Sequence, residues 1–186
     1  MTVVHLVRHG QSGWNLTGRL QGQTAHVQLT AAGRAQALAA ADLLQGKDVD
    51  VVYSSDLLRA RQTADLIATR LGLDVRPTAG LRERGYGSFE GQLSTRVLGA
   101  TTDIDWTDPD ARIGGGESLR DVFTRVGRTL ATISNHHPDG HVVAVSHGDT
   151  IRVALAWLNG GSADHLPWRD VPNGSITTVS PFHRAP

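Results

Sequence analysis

The chain has 186 residues, 18 Lys and Arg balanced by 18 Asp and Glu, and no cysteine. That length suits one domain able to bury roughly 70% of its unfolded surface, so residues 1–186 read as a single domain, and the missing cysteines exclude disulfides, thiol catalysis and cysteine zinc sites. Zero net charge provides no global field to recruit nucleic acid or an anionic membrane; with no bilayer-length apolar stretch and no basic-then-apolar start, the expectation is a soluble, cytoplasmic protein.

Strands and helices alternate. Val3–Val7 is a continuous apolar run broken only by His5, the pattern of a strand buried on both faces. The stretch 14–28 is polar and reads as irregular. Thr30 has the chemistry of an N-cap, and an Ala-rich helix is expected from there to about Leu44, stopped by Gly46. Asp50–Tyr53 reads as a second buried strand. Ser54 or Ser55 is expected to cap the next helix, whose apolar face is Ala60, Ala64, Ile67, Ala68 and Leu71, with Gly72 as its end. A short strand is expected over Leu73–Arg76. Leu81–Gly91 is a Gly-rich loop, and Gln92–Ile113 an irregular insert. Beyond Gly114-Gly115-Gly116, the positions Leu119, Val122, Phe123, Val126, Leu130 and Ile133 follow helical spacing on one face. His141–Ser146 is a third buried strand, a helix spans about Thr150–Leu158, and Ser175–Val179 is a last strand. Alternating β and α elements imply a three-layer α/β/α sandwich around a mostly parallel sheet.

Ligands of such sheets bind at the carboxyl ends of the strands. Three predicted strand ends carry charged or reactive groups: Arg8-His9, then Ser54-Ser55 with Arg59 close behind, then Ser146-His147-Gly148. A lone His at a strand end is usually structural, but Arg8 adjoins His9, and Gly10 would let backbone approach a ligand. Arg59 is expected in the first turn of a helix, where the macrodipole disfavours a cation, so an anionic partner explains it better than stability does. Arg61 has the same placement and is equally well explained as solvated. His147 lies before a helix N-terminus, where backbone N–H groups can cradle an anion; a hydrogen-bonded corner histidine is the blander account. Loop carboxylates are usually solvated, yet Glu83 or Glu90 could act as an acid/base if their loop folds over the crevice. Together these groups suit phosphoryl transfer, with Arg8, Arg59 and a protonated His147 neutralising phosphate, neutral His9 as nucleophile, and Glu83 moving the proton. No metal or cofactor is required, because side chains already supply the cations.

The run Val7-Arg8-His9-Gly10-Gln11-Ser12, with Trp14-Asn15 behind it, resembles the signature of the histidine phosphatase superfamily, also called phosphoglycerate mutase-like. The likeness continues through Gly18-Arg19-Leu20-Gln21-Gly22, Leu29–Ala37, Ser54–Ala64, the Glu83 loop, Gly115-Gly116-Glu117-Ser118 and Val145-Ser146-His147-Gly148. These blocks cover nearly the whole chain in family order. The resemblance implies a phosphoglycerate mutase-like fold, His9 as the phosphorylated nucleophile, Arg8, Arg59 and His147 as the phosphate pocket, and Glu83 as proton donor. It also implies that Asn15 and the Gly148 backbone contact the phosphate, and that Asn173-Gly174-Ser175 is a structural loop. One departure is the stretch 23–28, one residue longer than the usual pattern and without its Pro.

The family holds mutases and phosphatases. Glu83-Arg84-Gly85-Tyr86-Gly87 resembles the mutase loop, but mutases follow with a Lys and a longer insert bearing an Arg-Arg pair. Here the stretch is Gln92-Leu93-Ser94-Thr95-Arg96, and the short insert has only Arg96 and Arg112. The expectation is therefore a metal-independent phosphatase acting on a small phosphorylated metabolite, with a cofactor-dependent phosphoglycerate mutase as the alternative. Arg82, Arg84, Arg96, Trp106, Arg112 and Trp168 are candidates to line its pocket, though each also fits a surface or core role. Oligomeric state is not legible.

Other classes fit less well. Ala144-Val145-Ser146-His147-Gly148 approaches the nucleophile elbow of serine esterases, with Asp164 and His165 as partners, but that leaves Arg8, His9 and Arg59 unexplained. A metal hydrolase on His9, His147 and Glu83 lacks a His-Glu-x-x-His helix, and two arginines would repel the cation. A non-catalytic binding module would be expected to have lost a catalytic residue. Neither the P-loop nor the dinucleotide glycine pattern is complete.

Overall fold

The computed structural model describes residues 1–167 and 169–179. Trp168, considered above as a pocket residue, lies outside them. The elements in order are β1 (Val3–Arg8), α1 (Gly13–Leu16), α2 (Ala31–Leu44), β2 (Val51–Ser55), α3 (Leu58–Leu71), β3 (Val75–Thr78), α4 (Ser94–Ala100), α5 (Leu119–His136), β4 (His141–Ser146), α6 (Gly148–Leu158) and β5 (Ile176–Val179).

The strands form one sheet in the order β3-β2-β4-β1-β5. The first four run parallel and β5 antiparallel to β1. Period-two alternation sorts the side chains onto two faces. Val4 and Leu6 of β1 and Ala144 of β4 pack against α5 and α6 through Val122, Val126, Leu130 and Ile151. Val7, Val143 and Val145 pack against α2 and α3 through Ala40, Leu44, Ala64 and Ile67. The result is the expected α/β/α sandwich. Its helix contacts follow from sequence: α5 buries Val122, Val126, Leu130 and Ile133 at the predicted spacing, each worth roughly 1.5–3 kcal/mol when removed from water.

Several boundaries differ from the sequence reading. The stretch 14–28 is not wholly irregular, because Ser12 and Asn15 form a reciprocal capping box that closes the single turn of α1. Neither Ser54 nor Ser55 caps α3. Both belong to β2, and the cap position is Leu57, without a side-chain cap bond. The third strand begins at Val75 rather than Leu73, α6 starts at Gly148 rather than Thr150, and the insert contains α4. Thr30 does cap α2, accepting from Gly33 N–H, and Gly72 ends α3 in the left-handed conformation.

Register sets the site. Arg8 pairs with Ser146 and Ser54 with Val145, so β1, β2 and β4 end level at the middle of the sheet. Gly10 and Gly33 explain how α2 closes against this edge. A Cβ on Gly10 would lie 2.1 Å from the Gly33 carbonyl oxygen, and one on Gly33 would lie 2.0 Å from that of Gln11. Gly10 is therefore needed for helix packing, not for the ligand approach expected from the sequence.

Candidate active site

A cavity of about 150 Å³ opens at this edge, lined by Arg8, His9, Arg59, Glu83 and Gly148 among others. Five of the seven residues singled out thus meet at one place or form its wall. His147 lies just behind, its ring centroid 5.0 Å from that of His9 in an edge-to-face arrangement. Asn15 is not in the wall. Its amide oxygen accepts from Ser12 N–H, from the Ser12 hydroxyl and from Asn173, so in the protein alone it holds the corner together.

His9 is buried at the end of β1. Its Nδ1 lies 2.7 Å from the Gly10 carbonyl oxygen. A carbonyl can only accept, so Nδ1 carries the proton and Nε2 keeps its lone pair. Asn173 donates to the His9 carbonyl at 3.0 Å, and Gly174 N–H to that of Arg8, which bears out the structural part expected of that loop. Burial, then Arg59 and Arg8, holds the His9 pKa well below its ordinary value against the Gly10 bond. The ring is neutral at neutral pH.

Arg59 sits in the first turn of α3, fully buried. Two of its nitrogens donate to the carbonyls of Thr24 and Gly22 at 2.9 and 2.8 Å, so the stretch longer than the family pattern wraps this guanidinium. Burial lowers its pKa to about 10, opposed by Glu83 and Glu90, and it stays cationic. Arg8 donates to the Val171 carbonyl at 2.5 Å. The Nε atoms of both arginines and Nδ1 of His147 are buried without a protein partner. Unmet buried donors are rare and costly, and these three belong to one site.

His147 corrects an expectation. Burial, Arg59, His9 and Arg8 together push its pKa well down, so in the protein alone it is neutral, not protonated. Its Nε2 lies 2.9 Å from the Ser55 hydroxyl. An incoming dianion would restore the missing countercharge.

The two loop carboxylates separate. Glu90 is engaged structurally by Gln23 N–H, Tyr86 N–H and the Thr24 hydroxyl. Glu83 lines the cavity, and one of its oxygens accepts from Arg84 N–H, Thr150 N–H and the Thr150 hydroxyl. Burial and then Asp149 raise its pKa against those bonds and Arg59. Arg125 braces the loop, donating to the carbonyls of Gly80 and Arg82 and pairing with Glu117 at 2.8 Å.

Sequence reasoning missed Tyr86, Asp149 and Arg152, which also line the cavity. Tyr86 donates its hydroxyl to Asp149, and burial and Asp149 hold that phenol well above its ordinary pKa. Arg152 pairs with Asp149 at 2.6 Å. Other candidates lie elsewhere. Arg61 is partly exposed and 3.9 Å from Asp65, Arg82 grips Asp56, and Arg112 pairs with Asp121. Arg96 is exposed on α4.

The esterase reading fails on geometry. Ser146 is buried and donates to the Leu81 carbonyl at 2.7 Å, while Asp164 is held by Arg120. Among the described residues no group of three or more His, Asp or Glu side chains is arranged to hold a metal ion, and no helix is long and apolar enough to cross a membrane.

Comparison with known proteins matches residues 4–186 to the model of the histidine phosphatase superfamily (branch 1). The uncharacterized phosphatase PhoE of Bacillus subtilis is 32% identical over 165 residues, 88% of this chain and 81% of that one. A probable phosphoglycerate mutase of Salmonella choleraesuis is 34% identical over 164 residues, 86% and 76% of the two chains. The solved structure of a mycobacterial glucosyl-3-phosphoglycerate phosphatase in complex with VO3 aligns with a TM-score of 0.88 and 33% identity, covering 96% of this chain and 92% of that one.

Proposed function

The chain belongs to the histidine phosphatase superfamily, and from that membership together with the pocket we propose that it is a phosphatase, hydrolysing phosphomonoesters through a phosphohistidine. The observation that carries this reading is the convergence of Arg8, His9, Arg59 and Glu83 on one cavity, with buried donors of Arg8, Arg59 and His147 lacking any protein partner. A phosphate dianion presents several acceptor oxygens of the right charge for those donors.

In this reading His9 Nε2 attacks phosphorus in line with the ester oxygen. The phosphorus–oxygen bond breaks as a phosphorus–nitrogen bond forms, and the protonated Glu83 carboxyl gives its proton to the departing alkoxide. A water then attacks the phosphohistidine, the Glu83 carboxylate takes its proton, and the phosphorus–nitrogen bond breaks to release phosphate. Arg8 and Arg59 are already cationic, and His147 gains a proton as the dianion arrives. Stabilising the transferring group in a water-poor pocket is worth about 3–4 kcal/mol per well-placed donor. Gly148 N–H completes the phosphate contacts in this assignment.

Hydrolysis is favoured over mutase action because Arg96 and Arg112 do not line the cavity, leaving a phosphoglycerate carboxylate without an arginine pair. Rapid quenching in alkaline detergent after mixing with a 32P-labelled phosphomonoester tests the mechanism. A base-stable, acid-labile adduct mapped to His9 is expected, and turnover without it overturns the mechanism. Interconversion of phosphoglycerates outpacing phosphate release overturns the phosphatase assignment.

A further inference from the structure

The larger cavity of the molecule is not the one that holds the reactive groups. Beside the phosphate pocket lies a chamber of about 540 Å³, and the two share Tyr86, Asp149 and Arg152 as a common wall. The chamber is closed on its other sides by Leu98, Trp106, Leu119, Val153 and Leu166. These come from α4 and the insert, the start of α5, the middle of α6 and the loop before β5, so several separate parts of the chain contribute one apolar lining. Leu98 is 53% exposed and presents apolar surface at the mouth of the chamber. The indole ring of Trp106 lies 6.1 Å from the ring of Tyr86, and its Nε1 donates to Thr101, so the aromatic face is fixed in orientation.

The charged side chains of this wall are already bonded within the protein. Arg84, buried, donates to the carbonyls of Glu117 and Ala111. Arg152 is bound to Asp149 and to the Arg169 carbonyl. Asp164 is held by Arg120. Asp149 stands where the two cavities meet, so an anionic group entering the chamber passes a carboxylate and finds both wall arginines engaged. Arg19 lines the phosphate pocket but not the chamber. Thr107 and His165 leave hydrogen-bonding groups in the wall.

We propose that this chamber receives the leaving group, and that the substrates are phosphomonoesters of bulky, uncharged, largely apolar alcohols, with Asp149 discriminating against leaving groups that carry a carboxylate. The proposal rests on the phosphatase reading above. A volume of this size is that of ordinary organic-ligand sites, and binding energy gained by the remote apolar part is available to the chemical step.

Three primary-alkyl phosphates test it with leaving-group basicity nearly constant: 3-phenylpropyl phosphate, ethyl phosphate and 3-phosphoglycerate, each followed by phosphate release. The kcat/KM for phenylpropyl phosphate is expected to exceed that of each of the others by ~10-fold or more, the scale of a filled apolar pocket. Leu98→Arg, at a half-exposed position where folding is not at risk, and Trp106→Ala should each reduce that preference by ~5-fold. Asp149→Asn should narrow the gap between phenylpropyl phosphate and 3-phosphoglycerate while leaving the order of phenylpropyl and ethyl phosphate in place. Phosphate release that is fastest from 3-phosphoglycerate overturns the chamber assignment and leaves the phosphatase reading standing. So does a phenylpropyl preference unmoved by Leu98→Arg and Trp106→Ala. Release from none of the three removes both.

Discussion

The phosphate pocket and the chamber share a wall but are built differently. In the pocket each reactive group is held by fixed polar partners: His9 by Gly10, Arg59 by Thr24 and Gly22, Glu83 by Thr150 and Arg84. Arg8, His9 and His147 sit at the level ends of adjacent strands β1 and β4, so the sheet itself sets much of the geometry. The chamber has apolar walls drawn from four segments, and its charged side chains are bonded to other protein groups. A phosphoryl transition state demands particular atoms at particular distances; an apolar leaving group demands volume and dryness. A pocket built to the first demand tolerates no substitution, whereas a wall built to the second can be repacked.

That contrast predicts that damage to the groups that take and hold the phosphoryl group affects every substrate alike, that loss of the proton donor sorts substrates by leaving-group basicity, and that damage to the chamber sorts them by size. His9→Ala should show the largest effect, ~1000-fold or more in kcat on all phosphomonoesters, with phosphohistidine absent and circular dichroism unchanged. A loss that varied strongly with the leaving group would break the division between the regions. Glu83→Gln comes next. Alkyl phosphates should slow by ~100-fold, and p-nitrophenyl phosphate much less, because its phenolate barely needs a proton. Equal losses would take Glu83 out of the proton-donor role.

The pH profile sharpens the same contrast. In the proposed mechanism Glu83 must be protonated for the first step, and burial and Asp149 raise its pKa, so activity on alkyl phosphates should persist above the ordinary carboxylate range and fall as pH rises through the raised value. Asp149→Asn should move that alkaline limb to lower pH. His9 must be neutral, and its lowered pKa places the acid limb well below pH 6.5. Stability has the opposite dependence. His9 and His147 are neutral when folded but protonate near pH 6.5 when unfolded, so the unfolded chain binds more protons. Folding should weaken as pH falls below ~6.5, by at most ~1.4 kcal/mol per unit for each ring, measurable by urea titration.

Smaller effects mark the edges of the pocket. Gly10→Ala forces a methyl group against the Gly33 carbonyl and should cost about 1–3 kcal/mol of stability. An unchanged urea midpoint would show that α2 can move aside. Arg61→Ala should change stability by less than ~0.5 kcal/mol and leave turnover alone, since Arg61 faces Asp65 rather than the cavity.

How much of this was legible in the chain follows from the same physics. The bounds of β4 and the buried face of α5 were legible because a continuous apolar run and a 3.6-residue stripe are strong signals. α1 was missed because one turn has no periodicity; only the Ser12–Asn15 box defines it. The level strand ends made Arg8, His9, Arg59 and His147 legible, since a cation in the first turn of a helix asks for an explanation. Asp149 asked for none, as an acid in the first turn of α6 is where the macrodipole favours one. The neutrality of His147 was invisible too, because it depends on burial and on the arginines and second histidine that the fold brings close.

The position of β1 in the sheet has a consequence for how the chain assembles. The strand that ends just before His9 precedes the others in sequence, yet its neighbours are β4 and β5, and Val3 pairs with His141 far along the chain. Contacts so distant in sequence close late and slow folding. During synthesis β1 stays without a partner on either edge while α2, β2 and α3 are already available to pack together. His9 is thus made well before the segments that hold it in place, since Asn173 must arrive before its carbonyl is bound. An immature chain carries His9 without the pocket that surrounds it in the folded protein.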